Sequence, residues 1–230
     1  MRLMVSLVLL ALIAPSAEAQ QPAAPAITIR GVVMSANDAP LARVRVAVEG
    51  SAIPGPGFIL APDQTFEYRG VFGPNFLTAE PKNPDWFVKS ITYQGQDPTD
   101  SAFDFGSTET FRDVEVVVSS AGAGIRGGAT DDRATAIRDF AVVIFPTDRS
   151  KWTIRSRWMR TAASNQEGTF RVTGLVPGDY WVVAVDRLDG SDIAGDLQSP
   201  DVLDALAARA LRITLGEGQS RDVTLRLVRR

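Results

Sequence analysis

The 230-residue sequence contains no cysteine and no histidine. Without cysteine it has no disulfide framework, no thiol nucleophile and no iron–sulfur cluster. Without histidine it lacks the Ser-His-Asp triad, histidine-ligated zinc and the commonest general base near neutral pH. Its net charge is only -3, so a nucleic acid is not expected as its main partner. These absences predict a protein that is not an enzyme and that needs neither a cofactor nor a metal.

The N-terminus has the pattern of a secretory signal peptide. Arg2 provides a positive charge, residues 4–13 are apolar except for one serine, and Ala17-Glu18-Ala19 matches the small-x-small cleavage pattern. We therefore expect residues 1–19 to be removed on export, leaving a periplasmic or extracellular protein. The apolar run is too short to span a membrane, and no later run approaches the required length, so no span is expected after cleavage. Residues 20–26 (QQPAAPA) are predicted to form a linker.

The remaining sequence contains an internal repeat, which indicates a duplicated domain. Short motifs, which we call anchors, recur in the same order in both halves of the sequence. The offset between matching anchors increases only in the segments that separate one anchor from the next. The anchors are Ile29-Arg30-Gly31 with Ile125-Arg126-Gly127, Thr65-Phe66 with Thr169-Phe170, and Arg112-Asp113-Val114 with Arg221-Asp222-Val223. We assign a first domain to residues 27–119 and a second to residues 124–230. The small residues 119–124 (SSAGAG) between them are suited to a hinge or a short linker.

Both copies show the patterns of β-strands. Residues 43–48 alternate strictly, with Val44, Val46 and Val48 on one face, which is typical of a half-buried strand. The corresponding positions of the second copy are Phe140, Val142 and Ile144. Several short runs of this kind, separated by Gly, Pro, Asn and Asp, predict a sandwich or barrel.

One helix is predicted in the second copy, over residues 200–209. Ser199 is placed to cap it, Pro200 occupies the first helical position, and an apolar stripe follows at helical spacing. We expect this helix to cover one edge or end of the second sandwich.

The second copy contains Gly168-Thr169-Phe170 and, three residues later, the run 174–180 (GLVPGDY). This pattern resembles the signature G-x-F-x(3)-G-L-x-P-G-x-Y of carboxypeptidase regulatory-like domains. The residues that match it are Gly168, Phe170, Gly174, Leu175, Pro177, Gly178 and Tyr180. The first copy resembles the family at residues 31–33 and 40–44, but has Gly73-Pro74-Asn75-Phe76 where the family has Pro-Gly-x-Tyr. The resemblance implies two tandem immunoglobulin-like/transthyretin-like β-sandwich domains in an all-β chain of bacterial exported type.

The resemblance also bears on function. The family's domain is the non-catalytic accessory module of metallocarboxypeptidases, whose zinc ligands include histidine. The signature residues are therefore interpreted as folding determinants. Pro177 and Gly178 are suited to the second and third positions of a type II turn, in which Gly178 would have a positive φ and Tyr180 would begin an inward-packing strand.

The strongest binding candidate is the stretch 149–160 (RSKWTIRSRWMR), which carries no acidic residue. If residues 152–159 form a strand, Trp152 and Trp158 share one face and Arg155 lies on the other. Trp faces stack on sugar rings and Arg pairs with uronic acids, so these three residues are candidate ligand contacts. In the alternative interpretation the Trp face is core and the Arg face is the charged side of an edge strand.

Acidic residues offer weaker candidates for metal binding or hydrolysis. The aspartates of residues 186–196 lack the spacing of a calcium loop and are better explained as a solvated turn. No carboxylate pair is framed by a catalytic motif. The sequence thus predicts an exported, non-enzymatic interaction or structural module with an unknown protein or polysaccharide partner. The alternative is a carbohydrate-binding protein of the cell envelope, and a hydrolase is the third class.

Overall fold

A computed structural model describes residues 27–41, 44–49, 58–59, 63–71, 73–104, 111–153, 156–186, 197 and 199–229. The predicted signal peptide (1–19) and linker (20–26) lie outside the described residues, as do Arg155 and most of the aspartate-containing loop 186–196.

The first half of the chain folds into two four-stranded sheets. Its strands are β1 (Ile27–Ser35), β2 (Val44–Glu49), β3 (Phe58–Ile59), β4 (Thr65–Val71), β5 (Pro74–Pro81), β6 (Phe87–Thr92), β7 (Phe103–Asp104) and β8 (Phe111–Ser119). The sheet orders are β4-β1-β8-β6 and β3-β2-β5-β7. Side chains from both sheets, such as Val33 and Val116 from one and Val46 and Leu77 from the other, share one buried core. The arrangement is a β-sandwich.

The second half of the chain repeats this architecture and adds a helix. Its elements are β9 (Ala123–Thr130), β10 (Ala136–Ile137), β11 (Ala141–Pro146), β12 (Arg160–Ala163), β13 (Thr169–Leu175), β14 (Gly178–Val185), α1 (Pro200–Ala207), β15 (Leu211–Leu215) and β16 (Ser220–Val228). Two sets of strands, β13-β9-β16 and β12-β11-β14, face each other across a second core. They are joined at one corner, where Ala184 and Val185 of β14 pair with Leu227 and Val228 of β16. The chain is therefore all-β, with two tandem sandwiches and one short helix in the second.

The two halves pair their strands in the same way. In each half the first strand pairs antiparallel with one partner (β1 with β4, β9 with β13) and parallel with the last strand (β1 with β8, β9 with β16). Strands β2 and β11 likewise take equivalent antiparallel partners, β5 and β14. The predicted core positions occupy equivalent places, because Val44, Val46 and Val48 enter the first core and Phe140, Val142 and Ile144 enter the second.

The repeated glycine has a steric role in both halves. Gly31 lies between Phe66 and Val114, and Gly127 lies between Phe170 and Val223, in matching registers. A Cβ at Gly31 would lie 2.2 Å from the Val114 carbonyl oxygen, and a Cβ at Gly127 would lie 1.8 Å from the Val223 carbonyl oxygen. The repeat thus preserves a position at which a neighbouring strand passes too close for any side chain.

The helix covers a sheet face, not an edge or end. Strand β11 is buried on both sides: Val142 and Ile144, like Phe140 just before the strand, point into the sandwich, while Ala141, Val143 and Phe145 point outward under α1. Leu203 and Leu206 of α1 are buried against this outer face. Ser199 occupies the N-cap position but makes no side-chain capping hydrogen bond, contrary to expectation, and Pro200 opens the helix as predicted.

The signature residues have roles that differ in part from the predicted turn. Gly168 and Gly174 have positive φ values of 74° and 66°. Gly178 does not have a positive φ; it begins β14 and pairs with Leu215, so the type II turn prediction is wrong. A Cβ at Gly178 would lie 3.0 Å from the Trp158 ring, and this close approach explains the glycine. Tyr180 packs inward as predicted, and its hydroxyl donates a 2.7 Å hydrogen bond to the Val176 carbonyl oxygen.

We expect the substitution Gly127→Ala to lower the free energy of unfolding by about 1–3 kcal/mol, because β9 and β16 must separate to admit the methyl group. Urea unfolding followed by tryptophan fluorescence measures the effect. Gly216→Ala is the matched control, since a Cβ there meets nothing closer than 3.6 Å. Equal unfolding midpoints for the two variants would show that the close approach is not a constraint.

Candidate functional site

The basic, tryptophan-containing stretch 149–160 does not form the predicted strand. Residues Arg149–Lys151 form a 3-10 turn, and the next strand, β12, begins only at Arg160. Asp148 explains the turn, because its carboxylate accepts hydrogen bonds from the backbone N–H and the hydroxyl of Ser150. The two tryptophans therefore do not share one strand face, and they enter different clusters.

Trp152 packs on the outer face of the second sandwich, beside α1. Its ring lies edge-on to Phe145 at 5.7 Å, and its indole N–H donates to the Pro146 carbonyl oxygen at 2.8 Å. The guanidinium of Arg149 lies over the ring at 5.3 Å and also pairs with Asp204 of α1. Trp152 is half-buried, and its polar N–H is already satisfied by the protein.

Trp158 is buried at the boundary between the two sandwiches, with 8% of its surface exposed. Its ring lies 6.2 Å from the ring of Tyr180 and against Gly178. The ammonium of Lys151 lies 3.8 Å from the ring centroid, within cation–π distance. The indole N–H donates at 3.1 Å to Asp100, a residue of the first sandwich. Trp158 is thus a core residue that also contacts the other half of the chain.

Arg157 makes the most extensive contact between the two halves. Its Nε and Nη2 donate to the two carboxylate oxygens of Asp100 at 2.8 and 3.1 Å, a bidentate pair. Its Nη1 donates to the carbonyl oxygen of Val88 and, at 3.3 Å, to that of Lys89. The Arg157 side chain is 20% exposed and the Asp100 side chain 35% exposed. Three guanidinium nitrogens and four oxygen atoms therefore meet where solvent has limited access.

The electrostatics of this contact favour the ionised form of Asp100. Burial by itself raises the pKa of the Asp100 carboxyl group. The hydrogen bonds from Arg157 and Trp158, together with the positive charges of Arg157 and Lys151, outweigh burial and hold the pKa below its ordinary value. The loop that carries Asp100 is itself tied to β6, because Thr99 accepts a 2.7 Å hydrogen bond from the backbone N–H of Ile91.

A second set of contacts joins the halves through backbone atoms. Gly122 and Gly174 lie so close to the segment before β6 that a Cβ on either would be 2.2 Å from a carbonyl oxygen, of Asp85 and Pro84 respectively. The hydroxyl of Thr173 donates to the same Pro84 oxygen at 3.3 Å. Phe87, although it begins β6, is 4% exposed and belongs to the core of the second sandwich.

The short connection between the sandwiches is also held in place. Only three residues separate the end of β8 from the start of β9. Ser120 accepts a 2.7 Å hydrogen bond from the side chain of Asn37, and the Ala121 carbonyl oxygen accepts one of 2.7 Å from Gly218. These two hydrogen bonds tie the connection to the first sandwich on one side and to the second on the other. We call the contacts of Arg157, Trp158, Gly122 and Gly174 with the first sandwich the junction.

The cavity at the junction is small. It is lined by residues of both halves, among them Leu77, Asp100 and Arg157, and has a volume of about 60 Å³. Each water molecule in the liquid occupies about 30 Å³, so the space suits one or two waters and not a sugar ring. The junction is a contact between parts of the protein rather than a ligand pocket.

Two findings on metal clusters and helix length, and one prediction that stays open, complete the description of the candidate sites. Within the described ranges no three acidic side chains cluster to hold a metal ion. In that same part of the chain no helix is long and apolar enough to cross a membrane. The ligand assignment of Trp152, Arg155 and Trp158 stays a prediction, because Arg155 lies outside the described residues; the two tryptophans are not brought together as one face.

The comparisons with known proteins identify no family. No protein-family model matches the chain, and no curated protein matches it. Solved structures that are similar include the Bacillus anthracis TIE protein (8% identity, 89% of this chain and 34% of that one, TM-score 0.31), a streptococcal ancillary pilin (10%, 87% and 62%, TM-score 0.33) and the major pilin subunit of Bacillus cereus (8%, 87% and 99%, TM-score 0.31). The chain thus spans about a third of the first and less than two thirds of the second. Similarity of this degree leaves the function to be inferred from the chain's own residues.

We expect Arg157→Ala to lower the free energy of unfolding by about 1.5–3 kcal/mol, because it removes hydrogen bonds between charged groups and leaves Asp100 without its partner. Small-angle X-ray scattering of the same variant is expected to show a longer maximum dimension. Arg112→Ala is the control: Arg112 is exposed and makes no ion pair within the described residues. A compact Arg157→Ala variant with unchanged stability would contradict the role given to the junction.

Proposed function

We propose that the chain is an exported, non-enzymatic structural or interaction module in which two sandwiches of carboxypeptidase regulatory-like type act as one rigid unit. The observation that carries the proposal is the junction. A bidentate ion pair, two close backbone approaches and a shared buried aromatic residue connect the sandwiches. A chain that presents two domains at a fixed angle is suited to spacing or presenting a surface.

The family assignment is supported by where the signature residues lie. Phe170 pairs with Gly127, Leu175 is buried, and Tyr180 packs inward with its hydroxyl bonded to the chain. In the first half, Phe66 pairs with Gly31 in the same register. We propose domain bounds of 27–119 and 124–230 on this correspondence.

The proposal that the protein is exported is supported by its sequence, and the proposal that it is not an enzyme is supported by the positions of its aspartates. The leader pattern of residues 1–19 supports export. Several aspartates serve their own turns: Asp63, Asp131 and Asp148 each accept a backbone N–H two residues ahead. Carboxylates used in this way support the protein's loops and are not arranged as a reacting pair.

The alternative, a carbohydrate-binding protein, has less support at the stretch 149–160. Stacking on a sugar needs an exposed ring face. Trp158 is buried under Lys151 and beside Gly178, and Trp152 lies edge-on to Phe145 with Arg149 over it. An untargeted glycan array with Trp152→Ala and Trp158→Ala variants would test this alternative directly.

The rigid-unit proposal predicts a specific response to acid. The pKa of Asp100 is lower in the folded protein than in the unfolded chain, so its contribution to stability is complete above its ordinary pKa of about 3.9 and is lost as the pH falls through the folded value. We expect the distance distribution from small-angle X-ray scattering to be that of one rigid particle at neutral pH. Below about pH 4 it is expected to extend to longer distances.

Asp100→Asn provides the matched control for this experiment. The variant lacks the titrating group, so it is expected to be less rigid already at neutral pH and to change less on acidification. If wild type at neutral pH shows the broad distance distribution of two independently moving domains, the proposal is wrong.

A further inference from the structure

A groove at the far end of the second sandwich is rich in arginine. It has a volume of about 840 Å³ and is formed by three elements: the turn Asp131–Arg133 after β9, Arg209 just after α1, and residues 226–229 at the end of β16. We call it the arginine groove. None of the residues of the junction lines it.

Some charged groups of the arginine groove have partners within the protein. The carboxylate of Asp131 accepts 2.8 Å hydrogen bonds from the backbone N–H groups of Arg133 and Thr135, so it is occupied by its own turn. Asp132 pairs with Arg226 at 2.7 Å, but both side chains of this pair are largely exposed. An exposed pair of this kind is weak and exchanges readily for another partner.

Three further arginines line the groove without an acidic partner of this kind. Arg133, Arg209 and Arg229 are exposed, and none of them has a carboxylate within ion-pair distance in the ranges that the structure describes. The pKa of the Asp131 carboxyl group is lowered by its hydrogen bonds from Thr135 and Arg133 and also by the charge of Arg229, so Arg229 is partly compensated. Among the described residues that line the groove, four guanidinium groups therefore face two carboxylates, an excess of two positive charges in a chain whose net charge is -3. Local positive charge on an acidic protein concentrates an anionic ligand at this end.

The composition of the groove discriminates between classes of anion. Guanidinium groups match the planar carboxylate in a bidentate manner. They match phosphate in the same way, but the two aspartates repel a densely charged polyphosphate more strongly than a singly charged carboxylate, and Asp132 can accept a hydrogen bond from a hydroxyl group. Among the described residues that line the groove none is aromatic, so a stacking platform for neutral sugars or nucleobases is missing there.

An extended peptide is disfavoured by the strand pairing. At the end of β16, Arg226 pairs with Thr130 of β9, and Leu227 and Val228 pair with Ala184 and Val185 of β14. Each of these residues is paired on one side only, but the stretch that lines the groove, 226–229, is shorter than the five or six residues that are roughly typical of a strand, so it gives an added peptide strand little backbone to pair with. The ligand chemistry that fits best combines carboxylates with hydroxyl groups.

We propose that the arginine groove binds an acidic polysaccharide through the carboxylates of its uronic acids. Arg133, Arg209 and Arg229 contact these carboxylates, and Asp132 accepts hydrogen bonds from ring hydroxyls. This site is separate from the junction and goes beyond the proposed structural role, so a negative result here leaves the scattering experiment unaffected.

The test is titration calorimetry of the full mature chain with a galacturonic acid oligomer. The wild-type protein is expected to bind it, with an affinity that falls as salt is added. The double variant Arg133→Ala/Arg209→Ala is expected to lose at least about tenfold in affinity while its melting temperature stays unchanged, because both side chains are exposed. Absence of binding by wild type, or unchanged binding by the double variant, overturns the proposal.

Matched controls separate the site from general charge and from other ligands. Arg112→Ala/Arg171→Ala removes two exposed arginines outside the groove and is expected to bind as wild type does; an equal loss would show that net charge alone decides binding. A maltose-type oligomer, inorganic phosphate and an oligo-glutamate of equal length are the ligand controls. Binding of any of them as tight as that of the galacturonic acid oligomer would overturn the assignment to acidic polysaccharide.

Discussion

The arrangement of the two sandwiches depends on the contacts that the guanidinium of Arg157 makes with the first sandwich. The guanidinium neutralises Asp100 and satisfies two carbonyl oxygens of β6 at the same time, using atoms of one planar group. An arginine that is four-fifths buried is tolerated because its guanidinium donates to a carboxylate and to two carbonyl oxygens. Removing the carboxylate would leave a buried positive charge, so the two halves favour the docked arrangement.

The junction also explains residues whose role in a single sandwich is not evident. Gly174 belongs to the signature of the second copy, yet the atoms that exclude a side chain there are carbonyl oxygens of Pro84 and Trp86 in the first half. Phe87 lies in a strand of the first sandwich, yet it is buried in the core of the second. The duplicated units are thus fitted to each other, and the second core is completed by the first unit.

Repetition in the sequence and repetition in the strand pairing agree at the level of single residues. The glycine of each Ile-Arg-Gly anchor sits where the parallel neighbour passes too close for a Cβ. The phenylalanine of each Thr-Phe anchor lies opposite that glycine on the antiparallel neighbour. Anchors that are far apart along the chain are therefore adjacent across one sheet, which gives a physical reason for their joint retention after duplication.

Prediction from the sequence succeeded where the decisive interaction is local and failed where it is remote. The alternation of Val44, Val46 and Val48 and the Pro200 helix start depend on neighbours within a few residues, and both were found. The strand predicted over 152–159 was wrong. Asp148 caps a 3-10 turn just before it, and the Trp158 ring packs against Gly178, a residue remote in the sequence. Strand β5 (Pro74–Pro81) has proline at both ends and polar residues between them, and only its pairing with β2 reveals it as a strand.

By itself the sequence determined the all-β class, the internal repeat of its motifs and the inward-pointing side chains of each core. Those properties follow from residue type and from a period of two along the chain. Only the tertiary structure decided that Arg157 meets Asp100, that Trp158 is buried, and that arginines from three elements line one groove. Each of these depends on the distance between residues far apart in the chain, and side-chain periodicity carries no information about that distance.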